Sequence, residues 1–433
     1  MNLYKSLIFI LYLGIFLGSG FRTPAQSRDS ITLYGTLDTV QVIRQRIQHA
    51  NEANAGARVT HISPAILQAN KTRSLAELLT DHTSIYIKSL GTGALSTASF
   101  RGTSASQTRV NWNGINITPP LSGTFDFSQI PVFFTDNINL YYGSSHVKNG
   151  TGAIGGSVNL FTDTDWNRGV NGRVLAEYGS YNTYTVGGQA NISGNKSASK
   201  TRLYYQHSDN DYTYLNKVLT NTPFREKRQD AAYSQFGIMQ EGYFRVSPYT
   251  RLTAVAWYQK NHRNLPQPLG VVNRSQEDQE ENNFRGYAGL DFSRGIHELH
   301  VKAAWLYFCQ TYDIRYDGGL FDPKGNKNRS NTAQVVADYT YSPTDKLILN
   351  TTYSHDLIRV SSYIDIDSSK YTLDGIDFDI PQVESPFSHH RNILSWQTSA
   401  LWTPIRWMMI NGQYMFEHND NRNVSTWSAG IVF

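Results

Sequence analysis

The sequence predicts a small mixed α+β domain followed by an antiparallel transmembrane β-barrel of about twelve strands. Three observations carry that prediction. From about residue 170 onward, polar and apolar residues alternate over segments of about ten. The connections between these segments are of two kinds, short turns and long polar loops. The apolar faces of these segments are rich in Gly, Ala and aromatics, whereas a soluble sandwich core is usually richer in Val, Ile and Leu, and this suits a lipid-facing wall.

The chain opens with one positive charge at Lys5, an almost wholly apolar run over residues 7–16, and Thr23-Pro24-Ala25, which sets small residues at −3 and −1 of a cleavage site. Residues 1–25 therefore read as a secretory signal peptide. The apolar run is short for a membrane helix, and no later stretch reaches the roughly 18 apolar residues that one needs. Residues 26–60 are polar and read as a flexible segment. Residues 61–165 form the α+β domain: Ser74 and Glu77 make a capping box, and Leu75, Leu78 and Leu79 share one face of the helix that follows. Short strands are expected at residues 84–88 and 109–112.

Residues 166–433 supply the barrel. In residues 183–193, Tyr184, Val186, Gly188, Ala190 and Ile192 oppose Thr185, Gln189 and Asn191, and residues 284–293 and 332–341 repeat the design. Ser247-Pro248-Tyr249-Thr250, Ser293-Arg294-Gly295-Ile296, Ser342-Pro343-Thr344-Asp345 and Thr403-Pro404-Ile405-Arg406 are the short turns. Long loops lie near residues 209–230, 262–282, 312–331 and 360–391. That asymmetry places turns in the periplasm and loops outside, in the outer membrane of a Gram-negative bacterium. Tyr249, Trp402 and Trp407, beside turns, fit an interfacial girdle against the membrane lipids.

Composition excludes other classes. A net charge of +4, dispersed along the chain, argues against nucleic acid. The single Cys309 leaves no internal disulfide framework and no Cys-based zinc site. Gly150-x-Gly152-x-x-Gly155 has dinucleotide-binding spacing, but the alternating residues 157–162 follow it where a helix N-terminus is required. There is no nucleophile elbow, no H-E-x-x-H and no phosphate loop, so no enzyme is expected.

The ordered set of the Leu-rich helix, Phe100-Arg101-Gly102, the Asn113-Gly114 turn, and Tyr142-Gly143 leading into Gly152-Ala153-Ile154-Gly155-Gly156 resembles the plug domain of TonB-dependent outer-membrane receptors. The resemblance covers about a quarter of the chain. It implies that the glycines are a tight-turn cluster, where positive φ and close backbone approach tolerate no side chain. It also implies a TonB box near the mature N-terminus, and Asp38, Thr39, Val40, Gln41 and Val42 are the candidates for pairing with TonB by β-augmentation. By the same resemblance the function is TonB-dependent active import of a large scarce nutrient, cobalamin or a ferric siderophore-type chelate. The alternative is a receptor-like surface binding or signalling protein without transport; an open porin is a third reading, which a plug argues against.

The expected substrate-binding residues at the plug apex are Leu95, Trp112, Asn113 and Phe125; "WNGINITPPLSGTFDF" is similar to the plug loop of cobalamin-receptor-like proteins. Trp112 and Phe125 are equally well explained as packing between plug and wall. No cofactor is expected and the metal ligands are unknown, although Asp365, Asp367, Asp374, Asp377 and Asp379 form an oxygen-rich loop of the kind that binds calcium. His389-His390, Arg263 and Arg274 are further outer-loop candidates for ligand contact.

Size raises a difficulty. A plug of about 130 residues has an effective radius of roughly 18 Å. Twelve strands give a backbone radius of about 12 Å, and twenty-two give about 22 Å. The expectation is therefore a C-terminally truncated receptor carrying about twelve of twenty-two strands, although the terminal Trp427, Ala429, Ile431 and Phe433 resemble the signal read by the barrel-assembly machinery.

Overall fold

The computed structural model describes residues 58–143, 152–218, 223–268, 275–316, 323–366, 371–373, 376–378, 387–405, 407–420 and 422–432. The plug begins with β1 (Arg58–Ile62), α1 (Pro64–Ala69) and α2 (Leu75–His82). It continues through β2 (Tyr86–Ser89), β3 (Ser96–Ser99), β4 (Thr108–Trp112), β5 (Ile115–Asn116), β6 (Asn137–Tyr142) and β7 (Gly156–Phe161). Its main sheet runs β1-β6-β7-β4-β5, with β4 and β7 parallel and the other pairs antiparallel.

Local chemistry explains these elements. The Ser74 hydroxyl accepts from the Glu77 N–H at 3.3 Å and the Glu77 carboxylate accepts from the Ser74 N–H at 2.9 Å, so the capping box forms as the sequence predicts. The helix it starts buries Leu75, Ala76, Leu78 and Leu79. The β4–β5 hairpin turns through Asn113 and Gly114, both at positive φ (49° and 83°), the backbone that an Asn-Gly pair adopts at least cost. Phe100, Val110, Ile138, Leu140, Val158 and Leu160 fill the core beneath the sheet.

The glycine cluster owes its composition to close approach. A Cβ at Gly156 would strike the Tyr141 carbonyl oxygen and come within 2.7 Å of the Phe100 ring, and one at Gly155 would strike Thr103. Gly152 meets nothing within 4 Å and has no positive φ. The no-side-chain requirement therefore rests on Gly155 and Gly156, not on Gly152.

The second part is one antiparallel meander. It comprises β8 (Gly169–Gly179), β9 (Thr183–Ser193) and β10 (Ser197–Ser208), then a hairpin of β11 (Thr213–Asn216) and β12 (Phe224–Lys227). There follow β13 (Tyr233–Ser247), β14 (Thr250–Asn264), β15 (Ser275–Arg294), β16 (His297–Tyr316), β17 (Pro323–Thr344) and β18 (Leu347–Ile366). A second hairpin, β19 (Tyr371–Leu373) and β20 (Ile376–Phe378), precedes β21 (Phe387–Ile405), β22 (Met408–Asn419) and β23 (Arg422–Val432). The hairpins apart, all pair in chain order as one twelve-stranded sheet. Among the described residues β8 and β23 are each bonded on one side only, so the sheet is an open wall.

Two features refine the expectation. The alternation holds: Val186 and Ile192 point outward at 51% and 58% exposure, while Thr185, next to Val186, is buried against the inner side. The strands are longer than expected, with β15 to β18 running 20 to 22 residues. At about 3.4 Å per residue and a tilt near 40°, 20 residues rise roughly 50 Å, twice the apolar band of about 25 Å. The surplus lies toward the long loops, where Ser275 to Asn283 reads "SQEDQEENN" and is polar on both faces. Without lipid on one side there is no apolar periodicity to see.

Candidate functional site

The plug meets the inner face of the wall through an aromatic wedge and a buried ionic cluster. Trp112, at the end of β4, lies 5.4 Å from the Trp257 ring and 5.3 Å from Tyr287, centroid to centroid. Phe134 also packs against Trp257 at 5.4 Å, and the Arg285 guanidinium sits 4.5 Å from the same ring. Asn113 donates to the Tyr287 hydroxyl at 3.2 Å and accepts from the Thr162 N–H at 3.0 Å. Trp112 and Asn113 thus join plug to wall and line neither of the two plug-to-wall cavities.

The ionic cluster lies near the short-turn end. Asp136 of the plug accepts from Arg202 and, at 3.0 Å, from Lys200, both on β10. Fully buried Arg202 also approaches fully buried Glu241 of β13 at 3.2 Å, without hydrogen-bond alignment, while Tyr243 donates to the other Glu241 oxygen at 2.6 Å. Burial alone would raise the Asp136 carboxyl, but Arg202, Lys200, Lys71 and the Asp163 N–H outweigh it and hold it well below the usual carboxylate range. Lys71 donates to the Val132 and Thr135 carbonyls, and burial brings its ammonium down to about 8, against the pull of Asp136.

Two neighbouring cavities with shared lining residues lie between plug and wall. One, of about 200 Å³ toward the long-loop end, is lined by Leu95 and Phe125 of the plug and by Gln279, Glu281, Arg285 and Gln310 of the wall. Arg263 and Asp126 close it with a 2.7 Å ion pair. The Glu281 carboxylate accepts from Gln279 at 2.7 Å and Gln310 at 2.9 Å. Its charges therefore balance, and amides dominate what it offers a ligand. The other, of about 350 Å³, shares Pro119, Asn283, Arg285 and Phe308 with the first and continues to Arg109, Asp356 and Glu417. Burial lowers the Arg109 guanidinium from its ordinary value, with Asp356 and Glu417 opposing the shift.

Of the expected site residues, Leu95 and Phe125 line a cavity together, whereas Trp112 and Asn113 lie at the packing contact. Asp38, Thr39, Val40, Gln41 and Val42, the signal peptide, and Arg274 lie outside the described residues, as do the side chains of the acidic loop from Asp365 to Asp379. Arg263 is not on a loop: it ends β14, buried, and reaches the plug. His389 and His390 are exposed on β21. Among the described residues no three His, Cys, Asp or Glu side chains gather as for a metal, and no helix is long and apolar enough to cross a membrane.

A plug domain seated on the inner face of an up-and-down strand wall defines the plug-and-barrel class of fold. A family model described as the TonB-dependent Receptor Plug Domain matches residues 51–157. The chain carries the plug domain of TonB-dependent receptors, and its fold is theirs. It is 32% identical over 135 residues to the vitamin B12 transporter BtuB of Photobacterium profundum, covering 31% of this chain and 22% of that one. Over 126 residues it is 32% identical to the BtuB of Vibrio cholerae, covering 29% and 20%.

In fold it is similar to the ferric enterobactin receptor PfeA of Pseudomonas aeruginosa (TM-score 0.64, 12% identity, 88% of this chain and 60% of that one). It is likewise similar to the alcaligin outer-membrane receptor FauA of Bordetella pertussis (TM-score 0.59, 11% identity, 88% and 60%). The chain thus matches about a fifth of the length of these curated relatives and three fifths of these solved structures. All are named as transporters or receptors rather than enzymes.

Proposed function

We propose that the protein imports a large scarce nutrient across the outer membrane, driven by TonB. The observation that carries this reading is the pair of plug-to-wall cavities, which begin at the long-loop end beside Leu95 and Phe125 and continue inward past Arg109. A ligand held at the first lies on the route that movement of the plug would open. No bond is made or broken; the work is binding, release and displacement of the plug by force applied at residues 38–42.

The substrate is cobalamin or a ferric siderophore-type chelate. The amides of Gln279, Asn283 and Gln310 and the balanced charges suit a ligand rich in amide and carbonyl groups, and the likeness to vitamin B12 transporters agrees. The test is titration of the purified protein with cyanocobalamin and with ferric chelates, read by tryptophan fluorescence. Saturable binding that Phe125→Ala and Gln279→Ala weaken about tenfold supports the reading. Binding unaffected by both variants, or none to any of these ligands, contradicts it. Binding without uptake in cells would instead favour surface binding or signalling.

A further inference from the structure

The outer face of the wall carries a feature that import does not use. Strand register lines up its outward side chains in rows across β15, β16, β17, β18 and β21. One row reads Ala288, Ala303, Val335, His355 and Leu394, and the next, toward the long loops, Gly286, Trp305, Ala333, Leu357 and Asn392. The small residues leave a cavity of about 480 Å³, rimmed by Phe284, Trp305 and Leu357. His355 and Asn392, paired at 2.7 Å, mark its side toward β21.

The following rows change character. They bring Arg359 and His390 opposite each other, then Arg329, then Lys327. With rows about 7 Å apart and strands about 4.8 Å apart, the three cations Arg359, Arg329 and Lys327, with His390 beside Arg359, occupy a patch only two or three side chains wide. Arg329 has a buried Nε with no hydrogen-bond partner. The carboxylate on this face in those rows, Glu280, is already paired with Lys260 at 2.9 Å. An apolar groove thus ends at a cluster of positive charge.

We propose that this surface binds a membrane lipid with a phosphomonoester headgroup, its acyl chain in the Ala303–Ala333 groove and its phosphate between Arg359 and Arg329. Guanidinium groups bind phosphate bidentately, and each cation near a lipid surface strengthens attachment of an anionic headgroup. The apolar groove alone would take any acyl chain; the cations at its long-loop end select the anionic one. Placing the lipid in the outer leaflet rests on the import reading, which sets the long loops outside. The lipid site itself does not.

Native mass spectrometry of the full chain in neutral detergent tests this, with phosphatidic acid and phosphatidylcholine of the same chains as probes. The expected result is one phosphatidic acid retained in preference to phosphatidylcholine. Arg329→Ala with Arg359→Ala should weaken it about twenty-five-fold, at about fivefold per cation. Arg329→Lys with Arg359→Lys, which keeps the charge but not the bidentate geometry, should retain more binding than the double alanine variant and shows that loss is not misfolding. Ala303→Trp, which fills the groove, should weaken retention with every cation in place. Equal retention of the two lipids, retention unchanged in the double alanine variant, or competition by inorganic phosphate as strong as by the lipid would each overturn the proposal. Because detergent abolishes sidedness, a negative result leaves the import reading untouched.

Discussion

Asp136 of the plug and Arg202 of β10 form an ion pair in which the guanidinium is fully buried, and Lys200 and Glu241 extend it along the wall. It ties one region of the plug to the strand next to the shortest connections. Removing one member leaves charge buried without its counterpart. Asp136→Asn is expected to destabilise the plug by about 3–5 kcal/mol, read as a lower midpoint in urea when plug unfolding is followed by protease sensitivity.

The same carboxylate sets an acid limit. Its folded value lies below the unfolded one, so the stability it contributes is present above the usual carboxylate range and is lost as pH falls through the folded value. Wild-type stability should fall relative to Asp136→Asn as the medium is acidified below about pH 4. Parallel curves for the two proteins would contradict the role given to Asp136.

Lys71 has the opposite dependence. Burial lowers it from 10.5 to about 8 in the folded chain, so the folded state binds fewer protons between those values. Stability contributed by this residue must then rise with pH across that window. Wild type should gain on Lys71→Met between pH 8 and 10.5, where chemical denaturation at several pH values would detect the changing difference.

Trp112 separates packing from binding. At 1% exposure between Trp257 and Tyr287, it should cost about 3–5 kcal/mol when replaced by Ala. Phe125→Ala, beside a cavity, should cost ligand affinity at least as much as stability. Differential scanning of both variants, with and without ligand, distinguishes the two roles.

How much of this was legible depended on whether local pattern or distant contact decides a residue's place. The capping box at Ser74, the Asn113-Gly114 turn and the alternation around Val186 are local, and the structure has them where the sequence implies. Arg202, Lys200 and Glu241 sit on the polar faces of strands, where they read as ordinary inner-wall residues; what sets Arg202 and Lys200 apart is their contact with the plug at Asp136, 66 residues from Arg202. Gly152, Gly155 and Gly156 look alike in sequence, yet only the last two face atoms that a Cβ would strike. Accordingly Gly156→Ala should abolish a protease-resistant plug, and Gly152→Ala should leave it intact.

Uptake of labelled cyanocobalamin and ferric chelates by cells producing the protein, with and without TonB, tests the central claim most directly. The account predicts accumulation of one of these above the external concentration, lost when TonB or the proton gradient is removed and reduced by Phe125→Ala. Entry that persists without TonB and only equalises the concentration on the two sides would contradict it and mark the wall as a passive pore.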